Sequence, residues 1–185
     1  MAIIGKALIK GAELYFVKMD PKRPVLNYNE TGFEWVVQVR TSDKKIAEEW
    51  SENFHINVKY DQVDKKTGKV WHGGNISRMA WKKDSPENKF DPPECLIVKD
   101  QVAQPLEPST VGNGSIGTVK VQLRTWTDGK KKSGTTCDLL GILVTNLVEY
   151  TQIPDPEWDL SEGDTVVVPQ EKEASTVEVD DEDAY

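Results

Sequence analysis

Cysteine and histidine are scarce in this sequence of 185 residues, which contains two of each. Cys95 and Cys137 lie far apart, with no Cys-x-x-Cys pair and no Cys/His cluster near either. Both are therefore expected to be buried small apolar side chains rather than metal ligands or a disulfide. His55 and His72 lack the neighbouring ligands that a zinc site needs. The sequence predicts no metal and no other cofactor.

Motifs of catalysis are missing as well. Residues 112–117 match a Gly-x-Gly-x-x-Gly fingerprint, but they precede a predicted strand, whereas a dinucleotide site has these glycines between a strand and a helix. No phosphate-binding Gly-Lys-Ser/Thr loop and no Gly-x-Ser-x-Gly elbow occur. A nucleotide-hydrolysing β-enzyme would therefore lack any motif. We expect a binding protein and not an enzyme.

Long apolar runs are also absent. No segment approaches the ~18–20 apolar residues of a membrane-spanning helix, and residues 1–6 do not begin an apolar signal segment. The expectation is a soluble, intracellular protein without membrane contact.

Charge, in contrast, is abundant and unevenly distributed. Residues 155–185 carry 12 acids against one base, a net charge of -11, which leaves 19 acids and 22 bases, a net of +3, in residues 1–154. The overall charge of -8 is therefore an average over two unlike parts. A mildly basic body with an acidic segment indicates nucleic-acid contact by the first part and an interaction or decoy role for the second.

Most of residues 1–154 show the patterns of β-strands. Phe33 to Arg40 alternates, with Trp35 among the residues of the apolar face. Trp35 is therefore predicted to be core, with base stacking as the alternative. Thr135 to Tyr150 is the longest apolar run, and its Gly and Thr residues favour a strand, although a helix is possible by length.

One helix is predicted over residues 43–53, with Ser42 as its cap and Asp43 in its first turn. Its apolar stripe would contain Ile46, Ala47 and Trp50.

Five to seven strands with one early helix fit an all-β fold. A five-stranded Greek-key barrel of the OB type, with one short inserted helix and extra hairpins, fits best, and a β-sandwich is the alternative. The predicted domains are an OB-fold body over residues 1–154 and an acidic, mostly disordered tail over residues 155–185.

Residues 117–126 give the clearest functional pattern. Val119, Val121 and Leu123 alternate with a second set that mixes cations with an indole ring. Cations neutralise phosphates and an indole stacks on a base, so this face suits single-stranded nucleic acid. An ordinary half-exposed strand followed by a solvated turn is the alternative. The candidate residues here are Lys120, Arg124 and Trp126, followed by Lys130, Lys131 and Lys132 of a predicted hairpin tip.

A second group also interleaves aromatic and basic side chains: Trp71, Arg78, Trp81, Lys82 and Lys83.

The C-terminal part resembles the single-stranded DNA-binding proteins of tailed bacteriophages, of the T7-like type. The resemblance lies in the last 75 residues, in the Val119-Lys120-Val121 strand, Trp126, the 143–149 run and the acidic terminus. Members of this family usually end in Phe, whereas this chain ends in Tyr185.

The resemblance implies a non-sequence-specific protein that coats single-stranded DNA during phage replication, recombination and repair, in the cytoplasm of the infected bacterial host. It further implies a tail that recruits the polymerase and the helicase-primase and competes for the DNA groove; a homodimer would also be compatible. The tail residues concerned are Asp180, Asp181, Glu182, Asp183 and Tyr185. A β-rich structural or adaptor protein, such as a virion or tail component with an acidic solubilising tail, is the alternative.

Overall fold

The structure is a computed structural model, and it describes residues 2–150. Strands make up most of this range. Nine strands and one α-helix occur in this range: β1 (Ala2–Lys18), β2 (Val25–Leu26), β3 (Gly32–Thr41), α1 (Lys44–Phe54), β4 (Lys59–Val63), β5 (Val70–Lys82), β6 (Glu94–Lys99), β7 (Val102–Pro105), β8 (Ser115–Thr127) and β9 (Ser133–Asn146). The predicted all-β class with one inserted helix is confirmed. The acidic tail lies outside the described residues.

The five long strands close into a barrel. β1 pairs with β3, β3 with β5, β9 with β8, and β8 with β1, all antiparallel. The ring is completed by a parallel contact between β5 and β9, where Ser77 lies opposite Asp138. A five-stranded barrel with this Greek-key order is the OB fold, as predicted. The alternative β-sandwich is wrong because the sheet closes on itself.

The remaining strands extend this barrel. β4 forms a hairpin with β5, the short β2 pairs with β3, and β6 runs parallel to β9 and carries β7 on its other side. The strand count exceeds the five to seven predicted because the short strands β2 and β7 add to the longer ones.

Alternation along each barrel strand decides which side chains fill the interior. On β3, Trp35, Val37 and Val39 are buried, and the Trp35 indole N–H donates to the Asp20 carbonyl at 2.9 Å. Trp35 is therefore core, as predicted, because its ring fills the barrel and its one polar atom is hydrogen-bonded. The alternate residues of β3, including Gln38 and Arg40, line cavities on the outer surface.

The helix lies between β3 and β4. Asp43, and not Ser42, is its N-cap, because the Asp43 carboxylate accepts a hydrogen bond from the Lys45 N–H at 2.9 Å. Ala47 and Trp50 are buried, as the stripe predicted, whereas Ile46 of the same predicted stripe is 39% exposed. Within residues 2–150, no helix is long and apolar enough to cross a membrane.

Candidate nucleic-acid interface

The Arg40 side chain lies between two aromatic rings on the outer surface of the barrel. Its guanidinium carbon is 3.8 Å from the ring centroid of Tyr15 on β1 and 3.8 Å from that of Trp71 on β5. A guanidinium stacks on an aromatic face because the ring's quadrupole attracts a cation. Burial lowers the pKa of Arg40 from its ordinary value, while Tyr15, Asp64 and Glu13 act against that shift. The group stays charged, since an arginine pKa begins far above neutrality.

Polar neighbours fix the plane of this guanidinium. The Arg40 Nε–H donates to the Gln38 side-chain oxygen at 2.7 Å, and the Gln38 amide donates to the Asn75 side-chain oxygen at 3.3 Å. These residues lie on adjacent strands, with Gln38 directly opposite Asn75. The register of β3 and β5 therefore determines the orientation of the Arg40 guanidinium.

Phe16 adds a third ring through a local distortion of β1. Its φ of 48° and the register shift between Tyr15 and Lys18 mark a bulge, and its N–H donates to the Asn113 side-chain oxygen at 2.8 Å. A bulge can re-aim a side chain, and here Tyr15 and Phe16 line the same outer cavity although they are consecutive. Phe16 is 52% exposed, so its ring is accessible.

The β4–β5 hairpin places cations beside these rings. The Asp64 carboxylate accepts hydrogen bonds from the N–H groups of Lys66 at 2.8 Å and Thr67 at 3.1 Å, which shapes the turn. Lys65, Lys66 and Lys69 are exposed. The cavity between hairpin and rings has a volume of about 440 Å³.

We call this surface the aromatic face. It consists of Tyr15, Phe16, Gln38, Arg40, Trp71 and Asn75, together with the hairpin lysines Lys65, Lys66 and Lys69. Aromatic rings provide platforms for bases and the cations neutralise phosphates, so the arrangement has the chemistry that single-stranded nucleic acid requires.

The predicted residues on β8 do point outward, but they are not equivalent. Arg124 forms a two-point ion pair with Asp138 of β9, including an Nη2–Oδ1 contact of 3.0 Å, and this hydrogen bonding raises the pKa of Arg124. Its charge is therefore largely matched within the barrel. Lys120 is exposed but lines a different cavity, with Lys6 and Leu8, and that cavity shares no lining residue with the ones beside Arg40.

Trp126 and the basic hairpin lie together at the end of β8. Trp126 is 37% exposed, and its ring covers Gly134, where an added Cβ would come within 2.7 Å of the indole. The Asp128 carboxylate accepts the N–H groups of Lys130 and Lys132, both at 2.9 Å. The side chains of the three predicted hairpin lysines are exposed.

This hairpin and the β4–β5 hairpin lie at the same end of the barrel. Each immediately precedes one of two parallel neighbours, β9 and β5, and parallel neighbours begin at the same edge of a sheet.

The structure divides the second predicted group. Trp71 belongs to the aromatic face, whereas Trp81 packs against Phe33 with their ring centroids 5.1 Å apart. The Arg78 Nε–H donates to the Asp91 carbonyl at 2.7 Å, and Arg78 lines a small cavity that also contains Arg124. Lys82 and Lys83 are exposed at the opposite end of β5 from Trp71.

Sequence reasoning missed Tyr15, Phe16 and Arg40 as a site. Strict alternation puts residues 15 and 16 on opposite faces of the strand. The bulge in β1 interrupts this alternation, and no sequence pattern indicates where the bulge occurs. The segment of residues 64–68 has the composition of a basic turn, but nothing in the sequence indicates that this turn lies beside β1.

Metal binding has no support in the described range. No group of three or more His, Cys, Asp or Glu side chains within residues 2–150 could hold an ion. His55 ends α1 with a φ of 55°, and the buried His72 accepts the Asp61 N–H at 2.9 Å. Both histidines have structural roles.

Comparison with solved structures returns phage single-stranded DNA-binding proteins. The protein from bacteriophage Enc34 is 12% identical, with a TM-score of 0.47 over 85% of this chain and 89% of its own, and its C-terminal truncation gives a TM-score of 0.44 at 12% identity over 77% and 86%. The single-stranded DNA-binding protein gp2.5 of bacteriophage T7 gives a TM-score of 0.43 at 12% identity over 85% of this chain and 95% of its own. These structures belong to the class that the sequence resembles. No protein-family model and no curated protein sequence matches this chain.

Proposed function

We propose that the chain is a non-sequence-specific single-stranded DNA-binding protein whose binding surface is the aromatic face. The observation that carries this proposal is the stack of Arg40 between Tyr15 and Trp71 on the outer surface of the barrel. Tyr15 lies on the first barrel strand, and Arg40 and Trp71 lie on the second and third. OB folds bind oligonucleotides on the face of those two strands and with the loop between strands four and five. In this chain the two strands are β3 and β5, and the loop is the hairpin at residues 128–132.

Bases stack on the exposed ring of Phe16 and on the half-buried ring of Trp71, while Lys65, Lys66 and Lys69 follow the phosphates. Every base has a π-face, so stacking contributes affinity without reading sequence. Trp126 and Lys130–Lys132 extend the path at the same barrel end. Lys120, Arg124, Arg78, Trp81, Lys82 and Lys83 have secondary roles at most. Arg124 is paired with Asp138, Arg78 donates to a backbone carbonyl and Trp81 packs against Phe33. Lys120 lines a separate cavity, and Lys82 and Lys83 lie at the opposite end of β5 from Trp71.

The biological role follows from the resemblance to phage proteins. The chain coats and protects single strands during phage DNA replication, recombination and repair, in the cytoplasm of the infected host, and acts as a binding protein without catalysis. The resemblance supports this role, and the mildly basic body is compatible with it.

The acidic tail recruits the phage polymerase and helicase-primase and competes with DNA for the binding surface. A tethered polyanion with a net charge of -11 competes at high effective concentration. Deleting residues 161–185 should therefore tighten oligonucleotide binding, most strongly at low salt. Unchanged or weaker binding would eliminate the competition model.

A titration with oligo-dT, followed by intrinsic tryptophan fluorescence at two salt concentrations, tests the proposal. The chain has six tryptophans, so stacking should quench emission, and added salt should reverse the quenching because phosphate contacts release counterions. A DNA duplex of equal length should compete poorly with oligo-dT for binding to the protein. Absence of salt-sensitive binding, even after tail removal, would favour a structural or adaptor protein, which should assemble without nucleic acid.

A further inference from the structure

Arg40 already has an anionic ion-pair partner in this structure, Asp64. Its Nη1 lies 3.7 Å from the Asp64 Oδ2, and the two side chains are 9% and 23% exposed. This distance is within ion-pair range but longer than a hydrogen bond of 2.7–3.2 Å. The planar guanidinium fork prefers a close, two-point contact with a carboxylate or a phosphate, and this long contact to Asp64 does not provide it.

Asp64 is held at that distance by its own turn. Its Oδ1 accepts the N–H groups of Lys66 and Thr67, and its backbone N–H donates to the Lys69 carbonyl at 2.9 Å. Those backbone hydrogen bonds are the main reason that the pKa of Asp64 is lowered, with Arg40 a smaller contributor. The carboxylate is therefore ionised, and one of its oxygens is committed to the hairpin.

The surroundings favour an anion that is not part of the chain. Of the described residues that line the cavity beside Phe16, Asp64 is the one acid, whereas Arg40, Lys65 and Lys66 line it as cations. Lys69 lines the adjoining cavity, where Glu13 is a second acid. A phosphate in the first cavity would meet three cations and the single carboxylate of Asp64.

We propose that Asp64 occupies the place of a backbone phosphate on Arg40 in the free protein, and that the bound strand's phosphate takes over this contact. Asp64 is then an internal competitor that lowers affinity for single-stranded DNA, and Arg40 is the cation for which the two anions compete. This inference rests on the proposed single-stranded DNA binding.

Asp64→Asn is the direct test, because it removes the charge while its side-chain oxygen can still accept the two turn hydrogen bonds. We expect labelled oligo-dT to bind the variant roughly threefold to fivefold more tightly at low salt, the range of a partly exposed ion pair. The gain should shrink as salt rises. Glu52→Gln is the matched control, since it removes one negative charge from an exposed position on α1 and should leave affinity nearly unchanged.

The competition must also depend on Arg40. In an Arg40→Gln background, adding Asp64→Asn should give no further gain, which a double-mutant cycle measures. Equal gains from Asp64→Asn and Glu52→Gln would show a general charge effect and overturn the proposal, as would a gain that persists without Arg40 or no gain at all.

Two further measurements keep the outcomes distinct. A thermal melt checks that the Asp64→Asn hairpin remains folded, and if it does not, Asp64→Ser, which also keeps an oxygen acceptor, must show the same gain. If the wild-type chain binds but neither variant gains affinity, only the role of Asp64 fails. If the wild-type chain and the variants all fail to bind oligo-dT, both the proposed function and the proposed role of Asp64 are wrong.

Discussion

The guanidinium carbon of Arg40 lies 3.8 Å from the ring centroid of Trp71, on a neighbouring strand of the barrel. This contact covers one face of the indole and positions the ring, so a stacked base would use the opposite face. Such contacts stabilise by about 0.5–2 kcal/mol, more when the cation is desolvated, and Arg40 is only 8% exposed. Arg40 therefore preorganises an aromatic platform as well as supplying charge.

Replacing Trp71 by Ala should weaken oligo-dT binding by roughly tenfold or more, because one stacked base contributes about 1–3 kcal/mol. Trp71→Phe, which keeps a ring over Arg40, should retain most of the affinity. Fluorescence anisotropy of a labelled oligonucleotide measures both, since it does not depend on tryptophan emission. Equal affinities for the Ala variant and the wild type would remove Trp71 from the interface.

Phe16 and Phe90 offer a matched comparison of two surfaces, because they are 52% and 50% exposed. Phe16 belongs to the aromatic face, whereas Phe90 lines the cavity of Arg78 and Arg124. Phe16→Ala should weaken binding by roughly fivefold or more through lost stacking, and Phe90→Ala should have little effect. The reverse result in the same anisotropy assay would transfer the binding surface to the cavity of Arg78 and Arg124.

The hairpin lysines should control the salt dependence of binding. Replacing Lys66 by Gln is expected to reduce the slope of log K against log salt by about 0.7, the value for one phosphate contact on a single strand. Lys99, an exposed lysine at the end of β6, is the control, and Lys99→Gln should leave the slope unchanged. Titrations at four salt concentrations would detect the difference. Equal slopes of log K against log salt for the wild type, Lys66→Gln and Lys99→Gln would contradict the proposed role of Lys66.

Arg124 should matter less for DNA than its position on β8 suggests. Its charge is matched by Asp138, so the double variant Arg124→Gln with Asp138→Asn removes the pair without leaving an unpaired carboxylate. We expect oligo-dT affinity to change by less than about twofold and unfolding free energy to fall by about 1 kcal/mol or less, as for partly exposed pairs. A large loss of affinity with normal urea unfolding would restore Arg124 to the interface.

The two cysteines should react slowly in the folded chain. Burial raises the pKa of Cys95 and of Cys137 to about 12, so little thiolate, the reactive form, exists at pH 8. Because these pKa values are raised, the neutral thiols are fully compatible with folding at pH 8, and stability should fall only as pH rises above the unfolded value near ~8.5. Labelling with a thiol reagent should be slow in buffer and rapid in urea. Rapid labelling in buffer would show that local unfolding exposes the two thiols.

Sequence patterns alone determine the class of fold and the barrel interior. Strict alternation on β3 and β8 assigns Trp35, Val37, Val119 and Val121 to one face, and the structure buries all four. This succeeds because a strand sends successive side chains to opposite sides whatever its partners are. The helix is predictable for a similar reason, since its apolar stripe has a local period. The predicted cap, Ser42, is one residue from the observed cap, Asp43, because both side chains can accept the capping hydrogen bond.

The candidate binding surface was decided by tertiary structure. Tyr15, Arg40 and Trp71 come from three strands, and only the register of β1, β3 and β5 brings the two rings each to 3.8 Å from the Arg40 guanidinium carbon. The bulge at Phe16 breaks the alternation that sequence reasoning depends on, and the ion pair between Arg124 and Asp138 neutralises a cation that looked available on β8. Composition and periodicity are local properties of the chain, whereas the accessibility of a ring or a charge depends on which distant strand lies beside it.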